Sequence, residues 1–144
     1  MSLKGSIKVA GDKSITHRAI IFSSLSKGTT RIHEPLLGAD CISTLEIFKQ
    51  FGVKSELSKD CLIITSPGLE SFCYDQSILD AGNSGTTARL LMGVLSNLPA
   101  TLTLIGDESL SKRPMKRVTL PLSQMGANIP LENDATLPAT ITGH

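Results

Sequence analysis

Tryptophan is absent from the 144 residues, tyrosine occurs once (Tyr74) and phenylalanine four times. So small an aromatic supply excludes a stacking platform for nucleic-acid bases. Charge of one sign is lacking too: 14 Lys and Arg stand against 13 Asp and Glu, a formal net charge of +1. No broad basic field exists for nucleic acid or an acidic membrane surface, so any anion must be held at a focused site. No apolar run approaches the ~18 residues of a membrane span. No secretory leader is legible, Met1-Ser2-Leu3 reads as a scar outside the fold, and the address expected is cytoplasmic. Cys41, Cys61 and Cys73 lack metal-ligand spacing and read as small buried hydrophobes in a reducing compartment. His17, His33 and His144 likewise have no spacing that suggests a metal site.

What is present is a pair of Gly-rich, hydroxyl-rich helix starts, each with an Arg one turn in. The first is Gly11-Asp12-Lys13-Ser14-Ile15-Thr16-His17-Arg18 and the second Gly82-Asn83-Ser84-Gly85-Thr86-Thr87-Ala88-Arg89. A helix N-terminus offers unpaired N–H donors and partial positive charge, so Ser, Thr and Arg placed there favour a carboxylate or phosphate. Lys13, Ser14 and Arg18 put an ammonium, a hydroxyl and a guanidinium on one end of one helix. Gly85 allows close backbone approach, yet no Lys follows it as in a nucleotide-hydrolase loop, and the Gly spacing is not that of a dinucleotide fold. A third cluster, Lys112-Arg113-Pro114-Met115-Lys116-Arg117, carries four cations in six residues. Each motif has a plain alternative: Ser14 as a helix cap with Arg18 solvated, an ordinary Gly turn, and a solvated charged loop.

The pattern predicts an α/β chain. Ile7 and Val9 alternate as in a short strand. Ile15, Ala19, Phe22 and Leu25 form the expected buried stripe of a helix from Ser14 to Ser26, with Gly28 as its C-cap. Thr29 to Ile32 reads as a strand, and Asp40 as the N-cap of a helix with Cys41, Leu45 and Phe48 inward, ending at Gly52. Val53–Leu57 and Leu62–Thr65 flank a hairpin turn. Ser84 to Ser96 reads as a central, buried helix and Thr101 to Ile105 as a strand. A helix near Thr119 to Met125 follows, provided Pro121 sits in its first turn. Asn128 to Leu131, a polar turn at Glu132-Asn133-Asp134 and Thr140 to Gly143 close the chain with no hairpin partner expected for the last segment.

Matched landmarks suggest an internal repeat. Arg18 and Arg89 lie 71 residues apart, and Gly52 and Gly126 lie 74 apart. Two copies of one unit are expected, about 14–80 and 81–144, the second unfinished, which makes the chain read as a fragment.

In combination, Gly11 through Ala19, Gly82 through Thr86, and Gly106-Asp107 through Arg113-Pro114-Met115 resemble the 5-enolpyruvylshikimate-3-phosphate (EPSP) synthase family, the 3-phosphoshikimate 1-carboxyvinyltransferases. The resemblance runs from Gly5 to about Gly143. It implies βαβαββ units, three to a domain, of which this chain holds the first and most of the second. It implies transfer of the enolpyruvyl group of phosphoenolpyruvate to the 5-hydroxyl of shikimate 3-phosphate, with no metal or organic cofactor. Lys13, Ser14 and Arg18 are similar to the residues that hold shikimate 3-phosphate, with Lys13 also touching the donor. Gly85 and Arg113 match donor-binding positions, supported by Asn83, Thr86 and Arg89. The family's catalytic Asp and its later Lys and Arg lie beyond His144, so no catalytic residue is assigned and the fragment alone is expected to be inactive without the C-terminal domain. Ala10 departs from the Pro usual before the first motif. The related UDP-N-acetylglucosamine enolpyruvyl transferases carry Lys-Asn where Lys13-Ser14 stands here, and a reactive Cys in the loop matching Leu110 to Met115, where none occurs. A non-catalytic anion-binding module is the alternative of a different class.

Overall fold

A computed structural model describes residues 3–143; Met1, Ser2 and His144, and the readings that fall on them, lie outside the described residues. The order of elements is α1 (Lys13–Leu25), β1 (Gly28–His33), α2 (Ala39–Gln50), β2 (Lys54–Ser58), β3 (Cys61–Ser66), β4 (Ile78–Asp80), α3 (Gly85–Leu95), β5 (Thr101–Ile105), α4 (Glu108–Ser111), α5 (Lys116–Gln124) and β6 (Ala139–Thr142). They form two three-stranded sheets, β1-β3-β2 and β4-β5-β6. The first is antiparallel throughout, whereas β4 runs parallel to β5 through the α3 crossover.

The two sheets share a local arrangement. Thr29 pairs with Thr65, which pairs on its other side with Lys54. Thr101 pairs with Thr142, which is bridged on its other side by Asn128. In both sheets the threonine hydroxyls face each other at 3.1 Å. Asn128 therefore occupies the place that β2 occupies in the first sheet, although it forms a single bridge rather than a strand. The closing segment has no hairpin partner, as expected; β6 pairs antiparallel with β5 across the intervening helices α4 and α5. The short strand β4 had no separate signal beyond Ile78-Leu79 ahead of the Gly-rich turn.

Several expectations are corrected. Ile7 and Val9 form no strand; they stand 89% and 74% exposed, since alternation makes a strand only where a sheet edge accepts its backbone. α1 buries Thr16, His17, Ile20, Ile21, Ser23 and Ser24, so the expected stripe is on the wrong face, with Ile15 64% and Phe22 65% exposed. Ser26, not Gly28, caps α1, and Gly28 opens β1 with a positive φ of 124°. Gly38 is the N-cap of α2, leaving Asp40 in its first turn. α3 is not buried all round, because Leu90 is exposed. Pro121 lies inside α5, whose start precedes the expected one by three residues. Of the cysteines only Cys41 is buried; Cys61 is half-buried and Cys73 exposed.

The core follows from the remaining faces. Cys41, Leu45 and Phe48 of α2 turn inward as their spacing predicts. Phe51 stacks on Phe72 at 5.3 Å, with Phe48 and Tyr74 edge-on to the same ring of Phe51. Such offset and edge-on packing stabilises a cluster beyond the area it buries. Leu91, Met92 and Leu95 of α3 share one buried cluster with Leu102, Leu104 and Ile141 of the second sheet. No helix among the described residues is long and apolar enough to cross a membrane.

Candidate active site

Three helix N-termini are brought together. α1 begins with Asp12 as N-cap, its Oδ1 accepting from the Ile15 amide at 2.7 Å. Asp12 thus takes the capping role that Ser14 could have filled, and leaves the Ser14 hydroxyl exposed on the first turn. α3 begins with Ser84 as N-cap, its hydroxyl accepting from the Thr87 amide at 3.1 Å. α2 lies between them, and Asp40 in its first turn holds both: its carboxylate accepts from Lys13 Nζ at 3.1 Å, and its carbonyl lies 3.0 Å from Thr87 Oγ1.

Behind this surface lies a buried polar run. His17 Nδ1 is 2.8 Å from Thr44 Oγ1, which is 2.8 Å from Thr87 Oγ1. One assignment uses each proton once: His17 Nδ1–H donates to Thr44, Thr44 to Thr87, and Thr87 to the Asp40 carbonyl. Nε2 of His17 then remains a buried acceptor without a partner among the described residues. Burial pushes the His17 pKa below its ordinary 6.5 and the nearby Lys13 charge adds to this, while Asp40 opposes it. The fold therefore disfavours the charged imidazolium.

The second Gly-rich turn is shaped by its hydrogen bonds. Gly82 has φ +58°, accepts from the Asp107 amide at 2.9 Å and donates to Asp80 Oδ1 at 2.7 Å. A side chain there would approach Ser43 Oγ to 3.2 Å. Asn83 Nδ2 donates to Asp107 Oδ2 at 2.7 Å, and Asp107 Oδ1 caps α4 through the Leu110 amide at 2.8 Å. These donors hold the Asp107 carboxyl below its usual pKa, the Leu110 amide first and Asn83 second. Leu110 and Met115, both wholly buried, pin the intervening basic loop to the core.

The loop brings Arg113 over α3. A Cβ placed on Gly85 would sit 3.1 and 3.2 Å from the two terminal nitrogens of Arg89 and 3.3 Å from Nη1 of Arg113. Arg89, Arg113, Pro114 and Arg117 line one surface cavity of about 340 Å³. Burial first, then the neighbouring charges of Arg117 and Arg113, lower the pKa of Arg89. A helix start whose glycine lacks a Cβ under two guanidiniums suits a phosphoryl group.

These features accompany a likeness along the whole chain. A profile of the family described as EPSP synthase (3-phosphoshikimate 1-carboxyvinyltransferase) matches residues 1–144. The chain belongs to the EPSP synthase family. It is 49% identical to the 3-phosphoshikimate 1-carboxyvinyltransferase of Bacillus cereus strain G9842 over 98% of its own length and 33% of that protein's. It is 51% identical to the protein of that name from Staphylococcus epidermidis, covering 98% of this chain and 34% of that one. The solved EPSP synthase of Acinetobacter baumannii superposes with a TM-score of 0.88 and 42% identity, covering 96% of this chain and 32% of that one. The chain thus spans about a third of the length of the curated relatives it matches, and its mixed α/β architecture is that of EPSP synthase.

Within that EPSP synthase frame the five candidate residues fall into two groups. Gly85 and Arg113 come together at the start of α3, where Nη1 of Arg113 lies 3.3 Å from the position a Cβ on Gly85 would take. Lys13, Ser14 and Arg18 lie along the first turns of α1, where Lys13 is paired to Asp40 and Arg18 borders a separate apolar groove with Phe22 and Leu90. Asp40, Thr44 and Thr87 connect the groups and were not singled out in the sequence; Asp40 read as a cap, and lone threonines carry no signal of a shared hydrogen bond. Arg117 was one of four clustered cations, and its spacing of four from Arg113 was the available hint.

Proposed function

We propose that the protein to which these residues belong transfers the enolpyruvyl group of phosphoenolpyruvate to the 5-hydroxyl of shikimate 3-phosphate, releasing phosphate. This is a step of the shikimate pathway to aromatic amino acids, run without metal or organic cofactor in the cytoplasm. The observation that carries the reading is the meeting of Gly85, Arg89 and Arg113 at the α3 N-terminus, in a chain matched end to end by the family. Gly85 and Arg113 hold the donor phosphate; Ser14 and Arg18 hold shikimate 3-phosphate, chiefly its carboxylate; and Lys13 reaches both. Asn83, Thr86 and Arg89 support the donor site.

Repeat units of about 14–80 and 81–144 are part of the same proposal, supported by the matched threonine pairs of the two sheets. The apolar groove between α1 and α3, lined by Phe22, Leu25, Leu90 and Val94, is covered in the full-length protein by further chain of the same enzyme. The 144 residues alone bind anions and turn nothing over. The test is a coupled phosphate-release assay with both substrates on the full-length protein. Absence of phosphate release that depends on both substrates refutes the reading.

A further inference from the structure

Three guanidiniums line the cavity at the α3 N-terminus, and none forms an ion pair among the described residues. Among the described residues the ion pairs are Lys8 with Glu34, Lys13 with Asp40, Lys49 with Glu46 and Lys112 with Glu108. Arg89, Arg113 and Arg117 belong to none of them. The nearby acids are engaged elsewhere, Asp107 with Asn83 and the Leu110 amide, and Glu108 with Lys112. Among the described residues the Arg113 guanidinium makes one hydrogen bond, Nη2 donating to Asn83 Oδ1 at 3.5 Å. Like charges held together without a counter-charge repel one another and desolvate at a cost, which an anion of matching charge removes.

The three are also placed from independent elements. Arg89 projects from the second turn of α3, Arg113 from the loop after α4 and Arg117 from the first turn of α5. Buried Met115, between the last two, donates its amide to the Asp134 carbonyl at 3.0 Å and fixes the span from Arg113 to Arg117. We propose that Arg117 is a further binding residue of this site, completing with Arg89 and Arg113 a three-guanidinium cup for a phosphate dianion. This rests on the donor site proposed above and adds to it both a residue and a ligand. The cup takes inorganic phosphate itself, so the released product competes with the phosphoryl group of the donor for the same three side chains.

Inorganic phosphate is titrated into the 144-residue chain at low ionic strength, where screening is weak, and followed by amide NMR. The expected result is saturable one-to-one binding that moves the Gly85 and Thr86 amides. Arg117→Gln should weaken it at least about tenfold, the loss of a charged hydrogen bond, and Arg117→Lys should recover part of the loss. Lys112→Gln, which removes a cation turned to Glu108, should leave affinity within about twofold, the small effect of an exposed charge. Unchanged far-UV circular dichroism shows that each variant is folded. Equal weakening by Arg117→Gln and Lys112→Gln marks mere charge screening and overturns the proposal, as does the absence of saturable binding. Binding lost in Arg113→Gln but kept in Arg117→Gln also overturns it; the donor-site reading then stands, because full-length turnover is measured separately.

Discussion

The hydroxyls of Thr44 and Thr87 lie 2.8 Å apart and join the second turn of α2 to the first turn of α3. Through them the buried His17 of α1 is connected to the helix that carries Gly85. The run sets the relative position of the two halves of the candidate site. Thr44→Val should leave His17 Nδ1 without a partner, while Thr87 keeps the Asp40 carbonyl and Ser84 Oγ, and should destabilise the fold by about 1–3 kcal/mol, the usual cost of one orphaned buried polar group. Urea unfolding of the purified chain measures it; a change below the error of the extrapolation would count against the network.

Stability should also depend on pH through His17. Its folded pKa lies below the ordinary 6.5, so between those two values the unfolded chain binds more protons than the folded one. Stability from this group is therefore fully present above about pH 6.5 and is lost as pH falls through the folded value. Asp40 and Lys13 are the charged groups that face it, and they act in opposite directions. His17→Asn, which keeps a short polar contact without the titration, should flatten the stability profile between pH 7 and 5. An unchanged slope in the variant would assign the dependence to other groups.

Loss of single arginines should separate the substrates in the full-length protein. Arg18→Ala should weaken shikimate 3-phosphate and Arg113→Ala phosphoenolpyruvate, each by about 1.5–3 kcal/mol for a charged hydrogen bond. Steady-state kinetics with each substrate varied in turn gives the answer. Equal effects of both substitutions on both substrates would refute the assignment.

Gly85→Ala should act on ligand rather than on fold. The atoms nearest the added Cβ are the ends of flexible Arg89 and Arg113, at 3.1 to 3.3 Å, and alanine suits a helix better than glycine by about 1 kcal/mol. The KM for phosphoenolpyruvate should rise with little change in that for shikimate 3-phosphate. A thermal midpoint lowered by several degrees, with both KM values unchanged, would falsify this reading.

The 144-residue chain by itself should show no transferase turnover. It spans about a third of its relatives, and transition-state stabilisation needs every charged group of a site held in register. Phosphate release from the two substrates should equal the blank without enzyme. Turnover that persists through repurification would sink the claim.

Much of this protein was legible in its sequence because the signals are local. Gly52 and Gly126 end helices, Ser84 caps one, and the alternation from Thr101 to Ile105 makes a strand that begins and ends where expected. The Gly-rich turn at Gly82 to Gly85 and the paired arginines were likewise readable, since backbone freedom and charge belong to individual residues. Facing was not. Ile15, Ala19, Phe22 and Leu25 make a proper apolar stripe, yet α1 turns Thr16 and His17 inward. Spacing tells which side chains share a face; only the neighbouring chain decides which face it covers. Thr16 donates to the Asp12 carbonyl and accepts from the Leu36 amide, and His17 meets Thr44, so these polar groups find inside the fold the partners that make their burial tolerable. Those partners lie 20 and 27 residues away for Leu36 and Thr44, and the tertiary structure alone brings them within reach.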